Sequence, residues 1–344
     1  MPPSGAGDVN LRLSNSVESG IGFQPVDSGR QSGTLPHPDS DHCYARQPMT
    51  LNPAQPRSNN RTWPNGDRNV PRVVIIGAPD RERVRSEAIR LRPLIAQHAE
   101  IVAEDFHFEY GFDDPDIDLV IVLGGDGSIL QTARQLAGKK IPVLGINCGN
   151  LGFLAALSPD DFLEVWPRVC CGAFEVIDHL MLEVSLIRDG QTICQQLVLN
   201  EVAVLGGPPY QILGIDLFAD GNLATRYRCD GLILATPVGS TAHNLSAGGP
   251  ILRRNLHAVV ISPISPHTLT YRPLVDSADT VFELTVSEPN ASTSVVVDGR
   301  ILSQLLPGDR VQVQRSDSTF EMLSVPGQND YRTLREKLGW GGSL

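Results

Sequence analysis

Three short aliphatic runs constrain this chain most: Arg72-Val73-Val74-Ile75-Ile76-Gly77, Asp118-Leu119-Val120-Ile121-Val122-Leu123 and Ile141-Pro142-Val143-Leu144-Gly145-Ile146. None alternates polar with apolar positions. A strand without a polar face is buried on both sides, which calls for helices above and below a parallel sheet. The sequence between them agrees. Residues 80–98 interleave Arg and Glu with Val84, Ala88, Ile89, Leu91 and Leu94, and a second helix continues through Ile129, Leu130, Ala133 and Leu136. Strand–helix alternation places ligands outside the carboxyl ends of the strands.

After about residue 172 the texture changes. Short alternating segments follow one another: 182–187, 196–199, 214–218, 281–286, 294–297 and 311–314. Turns such as Arg188-Asp189-Gly190, Ala219-Asp220-Gly221-Asn222 and Asp298-Gly299 separate them. This is the pattern of a second, all-β, sandwich-like domain. Tyr331 to Leu338 reads as a helix that packs back on the first domain. The expected organisation is therefore an α/β nucleotide-binding domain over 71–171, rejoined by about 320–344, and an all-β domain over 172–319. Residues 1–70 are rich in Pro, Gly, Ser, Asn and Gln, so they are expected to be a disordered, passive extension.

Lys and Arg number 28 against 39 Asp and Glu, a net charge of −11. That balance argues against a protein that coats nucleic acid or anionic lipid. No apolar run approaches the roughly 18 residues of a membrane helix, and the start lacks the pattern of a signal peptide. Six scattered cysteines form no CxxC pair, which fits a reducing cytoplasm. His107, His179 and His257 read as surface or packing residues.

Four motifs carry chemistry. Gly124-Gly125-Asp126-Gly127-Ser128 ends the second strand. Its glycines let backbone approach a phosphate, and the next helix offers free N–H groups. Asp126 cannot welcome phosphate itself, so its role is to hold a divalent cation or to accept a hydroxyl proton. Gly145 to Leu154 follows the third strand, so Phe153, among glycines, faces the same crevice and could stack on a base. Asn200-Glu201 after an apolar strand suits ribose hydroxyls and a base edge, provided the strand ends there. The longest motif runs Asp230-Gly231-Leu232-Ile233-Leu234-Ala235-Thr236-Pro237-Val238-Gly239-Ser240-Thr241-Ala242-His243-Asn244-Leu245-Ser246-Ala247-Gly248-Gly249-Pro250-Ile251. It reads as a strand, a turn and a short small-residue helix with Ser240 or Thr241 as N-cap.

In this order the four motifs resemble those of the bacterial-type, ATP-dependent NAD kinases. Pro266-His267-Thr268-Leu269, Arg272-Pro273, Val297-Asp298-Gly299 and Leu338-Gly339-Trp340 extend the resemblance over roughly 72–340. It implies transfer of the γ-phosphoryl of ATP to the 2′-hydroxyl of the adenosine ribose of NAD, with Mg²⁺, in a homodimer or homotetramer. It also implies roles for single residues. Asp126 would be the proton acceptor, beside Gly127. Asn200 and Glu201 would hold ribose and adenine, Phe153 would touch adenine, and the stretch Thr241, Ala242, His243, Asn244, Leu245 and Ser246 would start the NAD-binding helix. Asp230 would reach the nicotinamide end on a neighbouring subunit, with Arg228 as a basic neighbour. Gly124, Gly125, Ser128 and His267 would lie in the phosphate region. Three positions depart from the family's habit: Val238 stands for the usual Thr, His243 for Tyr, and Arg300 for an amide that would face NAD.

Overall fold

A computed structural model describes residues 70–78, 82–149, 152–268, 270–325 and 329–340. Apart from Val70, the expected disordered extension lies outside the described residues. The chain begins with β1 (Arg72–Gly77), α1 (Glu82–His98), β2 (Glu100–Asp105), β3 (Leu119–Gly124), α2 (Asp126–Leu136), β4 (Val143–Asn147) and α3 (Pro159–Cys170). The four strands are parallel in the order β2-β1-β3-β4. All six β3 residues and all five β4 residues are buried, as runs without alternation require. One face is covered by α1 and α3, whose Leu91, Ile95, Phe162 and Trp166 pack on β1 and β3. The other is covered by Ile129, Ala133 and Leu136 of α2.

Then come β5 (Glu175–Arg188), β6 (Gln191–Val198), β7 (Glu201–Leu205), β8 (Leu213–Ala219), β9 (Asn222–Cys229) and β10 (Gly231–Ala235). After a 3-10 turn (Gly239–Thr241) and α4 (His243–Ser246) follow β11 (Ala258–Ile264), β12 (Leu274–Ser277), β13 (Phe282–Val286), β14 (Ser294–Val297), β15 (Arg300–Gln304), β16 (Arg310–Ser324) and α5 (Asp330–Leu338). A second sheet has the order β12-β11-β10-β7-β14-β15. Its apolar face meets β5, β8, β13 and β16 in one buried cluster around Val204, Leu232, Leu234, Phe282 and Val313.

β16 links the two layers. Its first part pairs with β13 and β5 in the sandwich, and its last part lies parallel to β4 through Met322 and Val143. One ten-stranded sheet, counted among the described residues, thus runs through both halves. The register slips between Arg315 and Thr319 against β5, where the strand passes from one half to the other. Along β16 the alternation of Val311 and Val313 is a sandwich signal. Further on, Phe320 and Leu323 face opposite, equally buried sides of the parallel layer.

In the α/β half, two elements had no expectation attached. α3 opens with Ser158 accepting from the Asp161 N–H at 3.1 Å and with Pro159 in the first turn, a helix start hidden in a turn-like run. β2 is a short edge strand with charged residues at both ends.

Phe282 is 1% exposed between the two sheets. Phe282→Ala is expected to cost about 3–5 kcal/mol, read as a lower urea midpoint without a change in m-value.

Candidate active site

The strand order reverses between β1 and β3, and the Gly-rich turn sits at the carboxyl end of β3, where a crevice opens. Gly125 precedes α2 without a side-chain cap; the Ser128 N–H donates to the Gly125 carbonyl, and no side-chain cap takes the N–H groups of Asp126 and Gly127. Asp126, in that turn, points away from the helix. Its Oδ2 accepts from the Phe153 N–H at 2.8 Å, and its Oδ1 from Leu154 at 2.9 Å and Ala155 at 3.0 Å. The loop after β4 is therefore wrapped around one carboxylate. Gly152 is required there, because a Cβ would run into Asp126 Oδ1.

A second carboxylate does the same for the Asn200-Glu201 bend. Asp298 accepts from the N–H groups of Leu199 (3.1 Å), Asn200 (2.7 Å) and Glu201 (3.1 Å). Asn200 lies between β6 and β7 and Glu201 opens β7, so the requirement that the strand end there is met by a bend. The Asn200 carbonyl accepts from Thr236, and a Cβ on Gly239 would run into that same carbonyl. The turn after β10 is thereby pressed onto the bend. Val238 is 3% exposed and packs with Ile129, Leu154, Ala155 and Leu199. The methyl group that replaces the family's usual hydroxyl is thus a core group that ties the two carboxylate-held segments together.

Phe153 and Thr241 share a cleft of about 450 Å³ whose other walls include Leu252, Arg254 and, from α5, Tyr331. The Lys337 ammonium stands 5.0 Å from the Phe153 ring centroid, and Arg254 hydrogen-bonds the Phe153 carbonyl. A larger cleft of about 560 Å³ beside Asn147, between α1, α3 and α5, holds none of the expected residues. Among the described residues no three His, Cys, Asp or Glu side chains converge as a metal cage.

Burial, then the charge of Asp298, pushes Glu201 up to about 7, against the pull of the His243 backbone N–H. Its Oε2 is buried without a partner. Burial also raises Asp298, but three N–H donors and Arg134 favour its anion. Near pH 7 Glu201 is therefore divided between its acid and its anion. Burial lowers His243, keeping it neutral. Arg134 of α2 reaches the Asp298 carbonyl at 3.0 Å, and burial together with Arg300 lowers its pKa. Arg300 thus stands next to the bend.

Three expectations need correction. Ser240 and Thr241 are not N-caps: they lie within the 3-10 turn and donate to the Pro237 and Val238 carbonyls, because the chain is still turning there. The Asn244 side chain is fully buried and bonded to the Ser240 and Pro250 carbonyls and to Ser262, so it braces the turn and faces away from the crevice. His267 is not beside Gly124, Gly125 and Ser128. Its N–H donates to the Arg228 carbonyl, because its loop follows the end of β11 that pairs with Gly231. Arg228, Asp230 and His267 thus gather at one end of β10 and Glu201 at the other, where it pairs with Ala235. Five strand residues separate the groups, roughly 17 Å. Arg134 and the Arg253-Arg254 pair had no role assigned; their one signal was basic charge close behind a motif in an acidic chain.

Residues 98–174 match the family described as ATP-NAD kinase N-terminal domain, and residues 199–325 the ATP-NAD kinase C-terminal domain. The NAD kinase of Rhodopirellula baltica is 71% identical over 274 residues, 80% of this chain and 88% of that protein. The NAD kinase of Marinobacter nauticus is 42% identical over 66% of this chain and 78% of its own. A yeast NADH kinase solved with NADH superposes with a TM-score of 0.71 at 26% identity, over 80% of this chain and 89% of that one. An NAD kinase from Archaeoglobus fulgidus solved with ATP gives 0.62 at 27% identity, over 79% of this chain and 100% of that one.

Glu201 is neutral when buried and ionised when unfolded, so it destabilises the fold fully above about pH 7. That penalty fades as pH falls through 7 toward the ordinary 4.5. Glu201→Gln is expected to raise the melting temperature of the ligand-free chain at pH 8.5 and to change it little near pH 5.

Proposed function

The chain belongs to the NAD kinase family and is an ATP-dependent NAD kinase, and we propose that in it Asp126 accepts the proton of the adenosine 2′-hydroxyl as the γ-phosphoryl of ATP arrives. The observation that carries this reading is the Asp126 carboxylate itself, fixed by three N–H donors of the loop whose Phe153 walls the cleft shared with Thr241. Phosphoryl transfer asks a protein mainly for positioning and for charge neutralisation. A carboxylate that cannot rotate supplies the first. It keeps one acceptor position, on Oδ2, for a hydroxyl, which is a weak nucleophile until its proton has an acceptor. Adenine lies against Phe153. The ribose meets Asn200 and Glu201, and a protonated Glu201 both donates to and accepts from a diol.

Magnesium is best supported as part of the ATP complex. With no protein cage among the described residues, it would be held by phosphate oxygens and at most one or two carboxylates, Asp126 among them. Bound there, it would neutralise charge on the β- and γ-oxygens. Arg300 and Arg134 bring positive charge to the same end of β14. Six scattered cysteines without a CxxC pair support the cytoplasm as the location.

Asp126→Asn is expected to lower kcat about 10²- to 10⁴-fold, scored as NADP formed from NAD, ATP and Mg²⁺. An amide nitrogen facing the Phe153 N–H also loosens the loop, so KM for NAD rises with it. Wild-type turnover in a folded variant would remove Asp126 from this role.

Arg228, Asp230 and His267 stand too far along β10 to join Asp126 within one chain. We propose that they complete the nicotinamide end of the site in a second copy of a homo-oligomer. Mixing Asp126→Asn chains with Asp230→Ala chains then regenerates intact sites. In a randomly mixed dimer activity should return to about a quarter of wild type. No recovery in a demonstrated mixed oligomer would place Asp230 outside the site.

A further inference from the structure

Leu338-Gly339-Trp340 and the helix before it have no task in the site as described so far. α5 is nine residues long, too short to hold itself without packing. Among its described side chains only Thr333 is buried. Its apolar residues Tyr331, Leu334 and Leu338 recur at the spacing of one helical face. That face does not close onto a core. Tyr331 and Leu334, with Trp340 just beyond the helix, line the cleft of about 450 Å³ that also holds Phe153 and Thr241. Tyr331 is 53% exposed and Trp340 56%. Large aromatic rings left half uncovered in the wall of a cleft are suited to a flat ligand that completes their burial.

Both rings are placed by the caps of the helix. Asn329 accepts from the Tyr331 N–H at 2.9 Å, which fixes the first turn. Gly339, in the left-handed conformation at φ 63°, ends the helix, and the Trp340 N–H donates back to the Arg335 carbonyl at 3.1 Å. The chain folds back there, so Trp340 reaches the same cleft as Tyr331. The Lys337 ammonium, 5.0 Å from the Phe153 ring centroid, ties α5 to that ring.

We propose that Tyr331 and Trp340 are NAD-binding residues and that α5 supplies a second wall of the adenosine pocket, Phe153 supplying the first. This rests on the reading that adenine lies against Phe153. The purine then covers the apolar face that the fold leaves open on α5, so substrate binding and docking of the helix support each other. Such contacts meet the base alike before and during phosphoryl transfer. They therefore act on KM for NAD and not on turnover at saturation.

Steady-state kinetics of the full chain tests this, with Tyr331→Ala, Trp340→Ala and Phe153→Ala measured side by side. Each α5 variant is expected to raise KM for NAD about tenfold, with kcat and KM for ATP holding. Both side chains are exposed, so the fold survives either substitution. Trp340 also reports directly, because Trp166 is fully buried. NAD added without ATP is expected to quench indole emission in the wild type and less in Trp340→Phe. Nicotinamide mononucleotide, which carries no adenine, should not quench it. An unchanged KM for NAD in both α5 variants overturns the proposal, as does a rise confined to KM for ATP, or quenching by NAD that is equal in wild type and Trp340→Phe. If Phe153→Ala raises KM for NAD and the α5 variants do not, the proposal fails and the adenine placement stands. If Phe153→Ala leaves KM unchanged, the adenine placement fails, and the Trp340 signal still decides whether α5 meets the nucleotide.

Discussion

Leu199, Asn200 and Glu201 turn three successive N–H groups onto the buried carboxylate of Asp298. Without it, a bend between two strands would bury three donors unsatisfied, a cost of about 1–3 kcal/mol for each. Asp126 repeats the device on residues 153–155. In both cases a carboxylate on one element organises a loop on another. The two loops are pressed together through Val238, whose packing joins Leu199 to Leu154 and Ala155. The crevice is thus assembled from segments that would be irregular alone, each ordered by charge-assisted bonds.

The same arrangement sets the charge state of the crevice. Asp298 uses its acceptors on backbone donors, while Glu201, raised to about 7 by burial and by Asp298, has no partner for its Oε2. Arg134 and Arg300 stand beside the pair. An overall acidic chain thereby presents a polar but locally balanced surface to a polyanionic substrate pair, which a global net charge of −11 does not foretell.

Much of the fold is legible in the residues. The unalternating runs at 72–77, 118–123 and 141–146 name buried parallel strands, and the alternating segments after 172 name a sandwich. The long strands were half visible: the alternation of Val311 and Val313 is clear, while the stretch through Phe320 and Leu323, buried on both faces, has no period to read. The site divides in the same way. Asp126 and the Asn200-Glu201 pair stand out because glycines and strand ends flank them. The job of Asp298 was hidden, since its partners lie 97 to 99 residues away. His267 was misplaced because motif order says nothing about which end of a strand a loop occupies.

β16 also bears on how the chain is made. β4 finds its outer neighbour in residues near Met322, almost the last strand residues to be synthesised. As the protein emerges from the ribosome, β1, β3 and β4 can pair early, yet the outer edge of β4 stays open until the whole sandwich sequence has been translated. An open parallel edge is a template for wrong partners. The fold therefore closes last where it began first, and a chain cut short before β16 leaves β4 without its outer neighbour, however complete its first hundred ordered residues are.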